Sequence, residues 1–256
     1  IDAVSDFLPE RFELETESKA IRIAVIGKPN VGKSSLINKL LDSNRCIVSN
    51  NPGTTRDSID TFLKVNDQEF VLVDTAGIRR KGKTKQILDK FSVIMALKAL
   101  DRCDVAIFLL DAMETVTDQD ATIAGYALDR GKGCIIIGNK WDLMRENEVT
   151  FKEFEETVRY KLKFLEFAPI ITVSAKSGIR VDKILPKVKK VFDEYSRNIS
   201  TAPLNECFEK AIQRNPMSSY RGKFVKMFYA TQIKNQPPTF KCFLNYPEAI
   251  HFSYKR

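Results

Sequence analysis

A glycine loop between a strand pattern and a helix pattern places the strongest constraint on the fold of this chain. The loop, residues 27–34, reads Gly-Lys-Pro-Asn-Val-Gly-Lys-Ser and matches the pattern G-x-x-x-x-G-K-[ST]. Before it, residues 21–26 are apolar and β-branched, which predicts a buried parallel strand. After it, apolar residues recur at helical spacing over residues 33–41. This order predicts a phosphate-binding loop at the carboxyl end of the first strand.

The loop residues have expected roles toward a bound phosphate. The backbone and the helix N-terminus surround the phosphates, Lys33 reaches the β- and γ-phosphates, and Ser34 ligates Mg²⁺. The predicted nucleotide contacts of this segment are Gly27, Lys28, Pro29, Asn30, Val31, Gly32, Lys33, Ser34 and Ser35.

Strand and helix patterns then alternate as far as about residue 197, which predicts an α/β fold. The sheet is expected to be mostly parallel and covered by helices on both faces. The predicted strands are 21–26, 58–65, 69–74, 105–111, 134–138 and 169–173, and the predicted helices are 33–41, 85–100, 118–130, 151–164 and 179–196. Asn66 and Asp67 predict a hairpin between the second and third strands, with one antiparallel strand at the edge.

Three further motifs follow strands, where ligands bind in such sheets. Asp74-Thr75-Ala76-Gly77, followed by Ile78, is expected to hold Mg²⁺ through Asp74 and a γ-phosphate through the Gly77 N–H. In Asn139-Lys140-Trp141-Asp142, the Asp142 carboxylate can accept from two adjacent guanine donors, which favours GTP and disfavours an ATP-dependent kinase. The backbone of Ser174-Ala175-Lys176 is expected to contact the base oxygen.

Composition and charge restrict the class of protein further. Five scattered cysteines without a C-x-x-C pair indicate a reducing cytosol, and no apolar run approaches the length of a membrane span. Residues 197–256 hold ten basic and three acidic side chains, so they carry nearly all of the net charge of +8. This asymmetry predicts two domains with different partners. Because the sequence begins at Ile1 without a methionine, we expect it to be part of a longer chain.

The motifs together resemble one family of GTPases. Gly53-Thr54-Thr55-Arg56-Asp57 is similar to switch I of the Era, TrmE and Der groups, in which the second threonine, here Thr55, ligates Mg²⁺. The combined motifs, including Asp74-Thr75-Ala76-Gly77 and Asn139-Lys140-Trp141-Asp142, resemble the second GTPase domain of the Der (EngA) family.

This resemblance implies a domain organisation and a function. It implies a linker or short helix over residues 1–19, a GTPase domain over 20–197 and a KH-like domain over 198–256. It also implies a preceding GTPase domain, absent here, that would act in cis. The expected function is a cytoplasmic GTP-hydrolysing switch in the assembly of the large ribosomal subunit, with that subunit and its rRNA as partners. GTP, GDP and Mg²⁺ are the expected ligands, and Lys33, Thr55 and Gly77 are the expected catalytic residues.

Ile78 stands where a glutamine would orient the attacking water in Ras-type enzymes. Two explanations are open. Hydrolysis is slow and the domain is a binding switch, or a monovalent cation takes the place of an arginine finger. We favour the second, because in TrmE-like GTPases the asparagine at the position of Asn30 helps to hold K⁺. Nearby, the basic run of residues 79–85 is either a solvated loop or a contact with RNA or the absent domain.

The C-terminal pattern predicts a small α+β unit. A helical pattern includes Leu204 and Ile212, and alternating strands are expected over 223–232 and 239–245. No G-x-x-G clamp occurs in this unit, and we expect its aromatic residues to form a core rather than a stacking platform. A KH fold would need a further helix after the second strand. Two functions therefore remain in view: a GTPase switch, and a nucleotide-regulated interaction module with little turnover.

Overall fold

The computed structural model describes most of the chain, in several separate stretches. These are residues 20–42, 47–49, 60–75, 88–114, 116–144, 149–217, 219 and 222–250, with the backbone alone described at 47–49 and 88–92. The predicted N-terminal piece over 1–19 and the basic run over 79–85 lie outside the described residues.

Within these stretches, strands and helices alternate as the sequence predicts. The strands are β1 (Ile21–Ile26), β2 (Ile47–Ser49), β3 (Thr61–Val65), β4 (Gln68–Leu72), β5 (Val105–Asp111), β6 (Gly133–Asn139) and β7 (Ile170–Thr172). The helices are α1 (Lys33–Leu41), α2 (Leu88–Arg102), α3 (Asp118–Asp129), α4 (Trp141–Met144), α5 (Phe151–Lys161) and α6 (Ile184–Tyr195). A C-terminal unit follows, with α7 (Thr201–Arg214), β8 (Met227–Asn235) and β9 (Pro238–Leu244).

The first seven described strands form one sheet in the order β2-β3-β4-β1-β5-β6-β7. β1 is parallel to its neighbours β4 and β5, and β6 is parallel to β5 and β7. The next three strands of the chain, β2 to β4, lie on one side of β1 in the sheet, and β5 lies on the other side. The loop after β1 is therefore at the topological switch point, where ligands bind in such sheets. The mostly parallel α/β fold is confirmed.

The hairpin is also confirmed, but the edge of the sheet is not where we expected it. β3 pairs antiparallel with β4, and its turn residues Asn66 and Asp67 both have positive φ. The edge position belongs to β2, which pairs antiparallel with β3. β2 has only three residues, too few to show the alternation by which a strand is recognised in sequence.

Alternate residues of the central strands face two separate cores. On one face, Ala106 and Phe108 of β5 pack in a cluster that includes residues of α2, α3 and α5. On the other, Ile107 and Leu109 pack with residues of α1 and α6. All seven residues of β5 are buried, and the first six are a continuous apolar run, as expected for a strand covered on both faces. Each such aliphatic side chain contributes about 1.5–3 kcal/mol to stability through burial.

Two helix ends differ from prediction for local reasons. The helix predicted over 179–196 begins instead at Ile184, because Gly178 and Arg180 have positive φ and a short 3-10 turn intervenes at Val181–Lys183. The helix predicted over 151–164 stops at Lys161, where Leu162 leaves helical geometry and a second 3-10 turn follows.

The C-terminal unit packs one helix on a two-stranded antiparallel ribbon. Asn205 of α7 pairs with Ala230 of β8 through both backbone groups, at 2.9 Å to the carbonyl and 2.7 Å from the N–H. The expectation that the aromatics of this unit form a core is wrong for three of them. Phe224, Phe228 and Tyr229 are 86%, 61% and 46% exposed.

No helix in the described parts of the chain is both long and apolar enough to cross a bilayer.

Candidate nucleotide-binding site

Two glycines allow the loop between β1 and α1 to approach neighbouring strands closely. Gly27 has a φ of 153°, and a Cβ there would lie 2.3 Å from the carbonyl oxygen of Leu109 in β5. Gly32 has a φ of 100°, and a Cβ there would lie 2.2 Å from Nδ2 of Asn139. Contacts this short do not occur between real atoms, so both positions require glycine. The loop is thereby held against the ends of β5 and β6.

The Lys33 ammonium folds back over the loop. Its Nζ donates to the carbonyl oxygens of Gly27 at 2.7 Å and Lys28 at 2.6 Å. Burial lowers the pKa of Lys33 from 10.5 to about 8, and the charge of Asp120 partly opposes this shift. The ammonium is therefore poorly solvated, and its hydrogen-bond acceptors among the described residues are two neutral carbonyl oxygens, so a phosphate group would stabilise its charge.

A second lysine of the loop is anchored by a residue that the sequence motifs did not indicate. Nζ of Lys28 lies 3.1 Å from Oδ2 of the buried Asp120 and 3.5 Å from the exposed Glu114. Asp120 also accepts from the N–H and hydroxyl of Thr117, which form a capping box at the start of α3. The T-x-x-D spacing of this box was the available signal. Through the contact between Asp120 and Lys28, α3 holds the first half of the phosphate loop in place.

Asn139, the last residue of β6, bridges two loops of the site. Its Nδ2 donates to the Val31 carbonyl at 2.7 Å, and its Oδ1 accepts from the Ala175 N–H at 2.9 Å. Asn139 is buried, as is the side chain of Val31. The predicted contact residue Asn139 therefore holds the phosphate loop and the segment 174–176 together, and Val31 faces the site through its backbone.

Asp142 lies at the wall of an open cavity of about 210 Å³. Its Oδ1 is buried, and no donor in the described part of the chain contacts it. A buried carboxylate oxygen without a partner is costly, so a ligand with N–H donors is the expected occupant. The cavity is lined by Asn30, Gly32, Ser35, Asn139, Lys140, Asp142, Leu143, Ser174, Ala175 and Lys176.

Lys140 and the segment after β7 complete this cavity. Lys140 has a positive φ of 63°, and its ammonium pairs with the buried Asp111 at the end of β5. Ser174 is fully buried, and its hydroxyl accepts from the Ser177 N–H at 3.1 Å, which closes a turn. The Ala175 N–H is already bonded to Asn139, whereas Lys176 is exposed on the cavity.

Ser34 and Asp74 follow adjacent parallel strands, because β1 pairs with β4 and the Val73 N–H donates to the Ile23 carbonyl. They supply a hydroxyl and a carboxylate, the hard oxygen donors that fit Mg²⁺. The described residues hold no cluster of three or more His, Cys, Asp or Glu that would form a metal cage without help. This donor set suits a Mg²⁺ ion that takes further ligands from phosphates.

Of the remaining predicted site and motif residues, one lies within the described part of the chain. Thr75 is described and buried, and its hydroxyl lies 3.0 Å from that of Thr61. The others lie outside the described residues: Gly53, Thr54, Thr55, Arg56, Asp57, Ala76, Gly77 and Ile78.

Comparison with known proteins shows the family. The family profile of 50S ribosome-binding GTPases matches residues 22–140, and that of the C-terminal KH-like domain of EngA GTPases matches residues 198–256. GTPase Der of Desulforapulum autotrophicum is 52% identical over 247 residues, which are 96% of this chain and 50% of that protein. This chain belongs to the Der (EngA) family of GTPases. GTPase Der of Caldanaerobacter subterraneus is 48% identical over 256 residues, or 100% of this chain and 58% of that protein.

The chain thus spans 50–58% of the length of these two Der proteins. Among solved structures, an Era variant from Aquifex aeolicus bound to GDP and AlF4⁻ has a TM-score of 0.50 and 27% identity, covering 66% of this chain and 56% of that one. Era in complex with MgGDPNP and nucleotides 1506–1542 of 16S ribosomal RNA has a TM-score of 0.51 and 23% identity, covering 88% and 77%. The second likeness shows the shared fold.

We expect GDP binding to weaken as the pH rises above about 8. The pKa of Lys33 is about 8 in the chain without ligand, and adjacent phosphates raise it, so binding takes up a proton near and above this pH. Below pH 8 the lysine is already charged, and the affinity is constant as long as the phosphates stay ionised. Titration calorimetry at pH 8, in buffers of different ionisation enthalpy, is expected to show uptake of about half a proton. An affinity that stays constant from pH 7 to 9 would contradict this assignment.

Proposed function

We propose that this chain binds GTP and hydrolyses it to GDP and phosphate. The observation that carries the proposal is the buried Oδ1 of Asp142, which no donor among the described residues contacts, at the wall of the cavity beside the phosphate loop. Guanine offers an N1–H and an exocyclic amine on one edge, and a carboxylate can accept from both. Adenine offers no such pair, so it would leave the oxygen unsatisfied. Membership of a GTPase family supports the same conclusion.

The base contacts are proposed from the same cavity. Because Asn139 already binds the Ala175 N–H, we assign the contact with the base oxygen to the N–H of Lys176. Lys140 follows Asn139 in the cavity wall, where its aliphatic stem can pack against the face of the base.

The phosphate end has a separate set of residues. Lys33 is proposed to move from the loop carbonyls to the β- and γ-phosphates, since a charged acceptor is stronger than a neutral one. Ser34 and Asp74, with Thr55, are proposed to hold Mg²⁺. Mg²⁺ would neutralise charge that develops on the phosphates during transfer. The Gly77 N–H is proposed to contact the γ-phosphate. The side chain of Ile78 has no polar atom, so it cannot orient the attacking water as a glutamine does.

A monovalent cation is proposed to supply positive charge beside the phosphates. Asn30 is exposed on the phosphate loop with a positive φ of 66° and lines the same cavity. Its amide oxygen is a suitable ligand for K⁺ between the loop and the phosphates. Such a charge would stabilise the transition state, as an arginine finger does in other GTPases.

GTP turnover is therefore expected to rise when K⁺ replaces Na⁺ at constant ionic strength. An arginine finger contributes about 10³–10⁵ in rate, and a cation without directed hydrogen bonds is expected to give less, roughly 10–100-fold. Asn30→Gly is the informative variant, because glycine tolerates the positive φ while the amide is lost. It should remove most of the difference between the two salts. Equal rates in K⁺ and Na⁺ at saturating GTP would contradict the cation.

The C-terminal unit supports a role in assembly of the large ribosomal subunit. Residues 197–256 carry ten basic against three acidic side chains, a balance suited to the phosphates of rRNA. Phe224 and Phe228 are exposed beside these charges and can stack on unpaired bases. The family profile that matches residues 22–140 is described as ribosome-binding, which favours the 50S subunit as the partner.

Co-sedimentation with purified large subunits tests this role. We expect the chain to sediment with the subunits in the presence of a non-hydrolysable GTP analogue and less with GDP. Replacing both Phe224 and Phe228 with alanine should reduce co-sedimentation at least tenfold, since stacking contributes about 1–3 kcal/mol per base. Tyr160→Ala is the matched control, because Tyr160 is 69% exposed on α5 of the other domain. Equal co-sedimentation with the GTP analogue and with GDP, and with and without the two phenylalanines, would contradict the proposal.

A further inference from the structure

One carboxylate joins three segments that meet at the phosphate end of the site. Oδ1 of Asp60 accepts from the Asp74 N–H at 3.1 Å, and its Oδ2 accepts from Nη2 of Arg102 at 2.5 Å. Asp60 precedes β3, Asp74 follows β4, and Arg102 is the last residue of α2. We assigned no role to Asp60 from the sequence, although this residue ends the stretch Pro-Gly-Thr-Thr-Arg-Asp-Ser-Ile-Asp of residues 52–60.

A second hydrogen bond joins the same two segments one residue further along each of them. The hydroxyls of Thr61 and Thr75 lie 3.0 Å apart, and both residues are buried. In the sheet, Thr61 lies opposite Leu72 in the antiparallel pairing of β3 with β4. The start of β3 is therefore attached to the residues after β4 at two successive positions, and a shift of one segment must disturb the other.

The backbone of Asp74 needs such support. Asp74 has a φ of 57°, in the left-handed region that residues other than glycine adopt at an energetic cost. The hydrogen bond from its N–H to Asp60 stabilises this conformation. The direction in which the Asp74 carboxylate leaves the chain therefore depends on the position of Asp60.

The chain connects this contact to two proposed ligand contacts. Thr55, the proposed Mg²⁺ ligand of the preceding segment, lies five residues before Asp60 in the sequence. Gly77, the proposed γ-phosphate contact, lies three residues after Asp74. We propose that Asp60 is a positioning residue that holds Asp74, the proposed Mg²⁺ aspartate, and through Arg102 attaches it to α2. This inference rests on the proposed GTPase function and adds to it.

The expected consequence is a specific loss of Mg²⁺ dependence. Asp60 contacts neither base nor phosphate in this account, so its removal should leave Mg²⁺-free GDP binding nearly unchanged. It should misplace Asp74 and so weaken the part of the affinity that Mg²⁺ adds. The quantity to measure is the ratio of GDP affinities with Mg²⁺ and with EDTA, by titration of fluorescent GDP.

Four variants separate this role from a general loss of stability. Asp60→Ala is expected to lower the ratio about tenfold, a typical coupling between linked sites. Asp60→Asn, which keeps an acceptor for the Asp74 N–H, should retain most of the ratio. Arg102→Met, which removes the partner that holds this acceptor in place, should also lower the ratio, but by less than Asp60→Ala does. Asp101→Ala is the matched control, since Asp101 neighbours Arg102 and pairs with Arg130 at the same distance of 2.5 Å.

The outcomes distinguish this inference from the proposal on which it rests. A ratio unchanged in both Asp60→Ala and Arg102→Met, with normal wild-type binding, would contradict the coupling alone. So would an equal loss of the ratio in the Asp101→Ala control, or a loss of affinity in Asp60→Ala that is as large in EDTA as in Mg²⁺. If Asp60→Ala does not fold, Arg102→Met and Asp60→Asn decide the question. A wild-type chain that does not bind GDP would contradict both the proposed function and the inference.

Discussion

The Asp142→Asn variant is expected to bind GTP about 30–800-fold more weakly than the wild-type chain. The carboxylate is proposed to accept from two guanine donors in a cavity where its buried Oδ1 has no partner within the described stretches of the chain. Loss of a charge-assisted pair in such surroundings costs about 2–4 kcal/mol. The asparagine amide should favour xanthine, which presents a carbonyl where guanine has its amine. Competition between GTP and xanthosine triphosphate measures both effects.

Asp67→Asn is the control for this substitution. Asp67 lies in the turn of the β3–β4 hairpin with a fully exposed side chain, and its contact with Lys64 is a 3.7 Å surface ion pair. Its replacement removes the same charge without touching the cavity and should leave GTP affinity within about twofold. If Asp142→Asn bound GTP as tightly as this control, guanine recognition by Asp142 would be wrong.

Asn139→Ala is expected to reduce the free energy of unfolding by about 2–5 kcal/mol and to weaken nucleotide binding as well. The substitution leaves the Val31 carbonyl and the Ala175 N–H without their partner, and each buried group costs about 1–3 kcal/mol. The phosphate loop and the segment after β7 would then no longer be attached to each other. Urea denaturation of the chain without nucleotide measures the first effect, and GDP titration measures the second.

A conservative variant separates the two halves of this bridge. Asn139→Asp keeps an acceptor for the Ala175 N–H but cannot donate to Val31, so the phosphate loop alone loses its bond. It should reduce phosphate-dependent affinity more than base recognition. Unfolding of Asn139→Ala at the wild-type urea concentration would contradict the bridging role.

The sequence predicts best those elements that are buried on both faces. β1 and β5 have the predicted bounds because each is apolar except for one residue, the exposed Arg22 in β1 and the terminal Asp111 in β5. α1 also has its predicted bounds, since Gly32 ends the loop and Leu36, Ile37 and Leu40 give the helical period. In these places local preference and burial favour the same structure.

The elements that the sequence did not predict depend on contacts between distant residues. β2 is a strand only because β3 lies beside it, and α4 has four residues, too few for a period. The exposure of Phe228 depends on how much of the ribbon α7 can cover. None of these facts is encoded in the spacing of a single segment.

The same limit applies to the site. The motif residues were predicted because each follows a strand in a recognisable spacing. Asp120 and Asp60 were missed because each acts across the fold, Asp120 on Lys28 and Asp60 on Asp74. Asn139 was predicted as a contact residue, but its bridging role required the positions of Val31 and Ala175. Sequence reasoning thus finds residues that touch a ligand more readily than residues that hold them.

Turnover of GTP and ATP by the purified chain, in K⁺ and Mg²⁺, tests the central claim most directly. We expect saturable hydrolysis of GTP, and no hydrolysis of ATP above the background rate measured without protein. Saturable GTP binding without hydrolysis would contradict the enzymatic part and favour a nucleotide-regulated interaction module. Hydrolysis of ATP and GTP at equal rates, or failure to bind either nucleotide, would contradict the assignment of the cavity beside Asp142 to guanine.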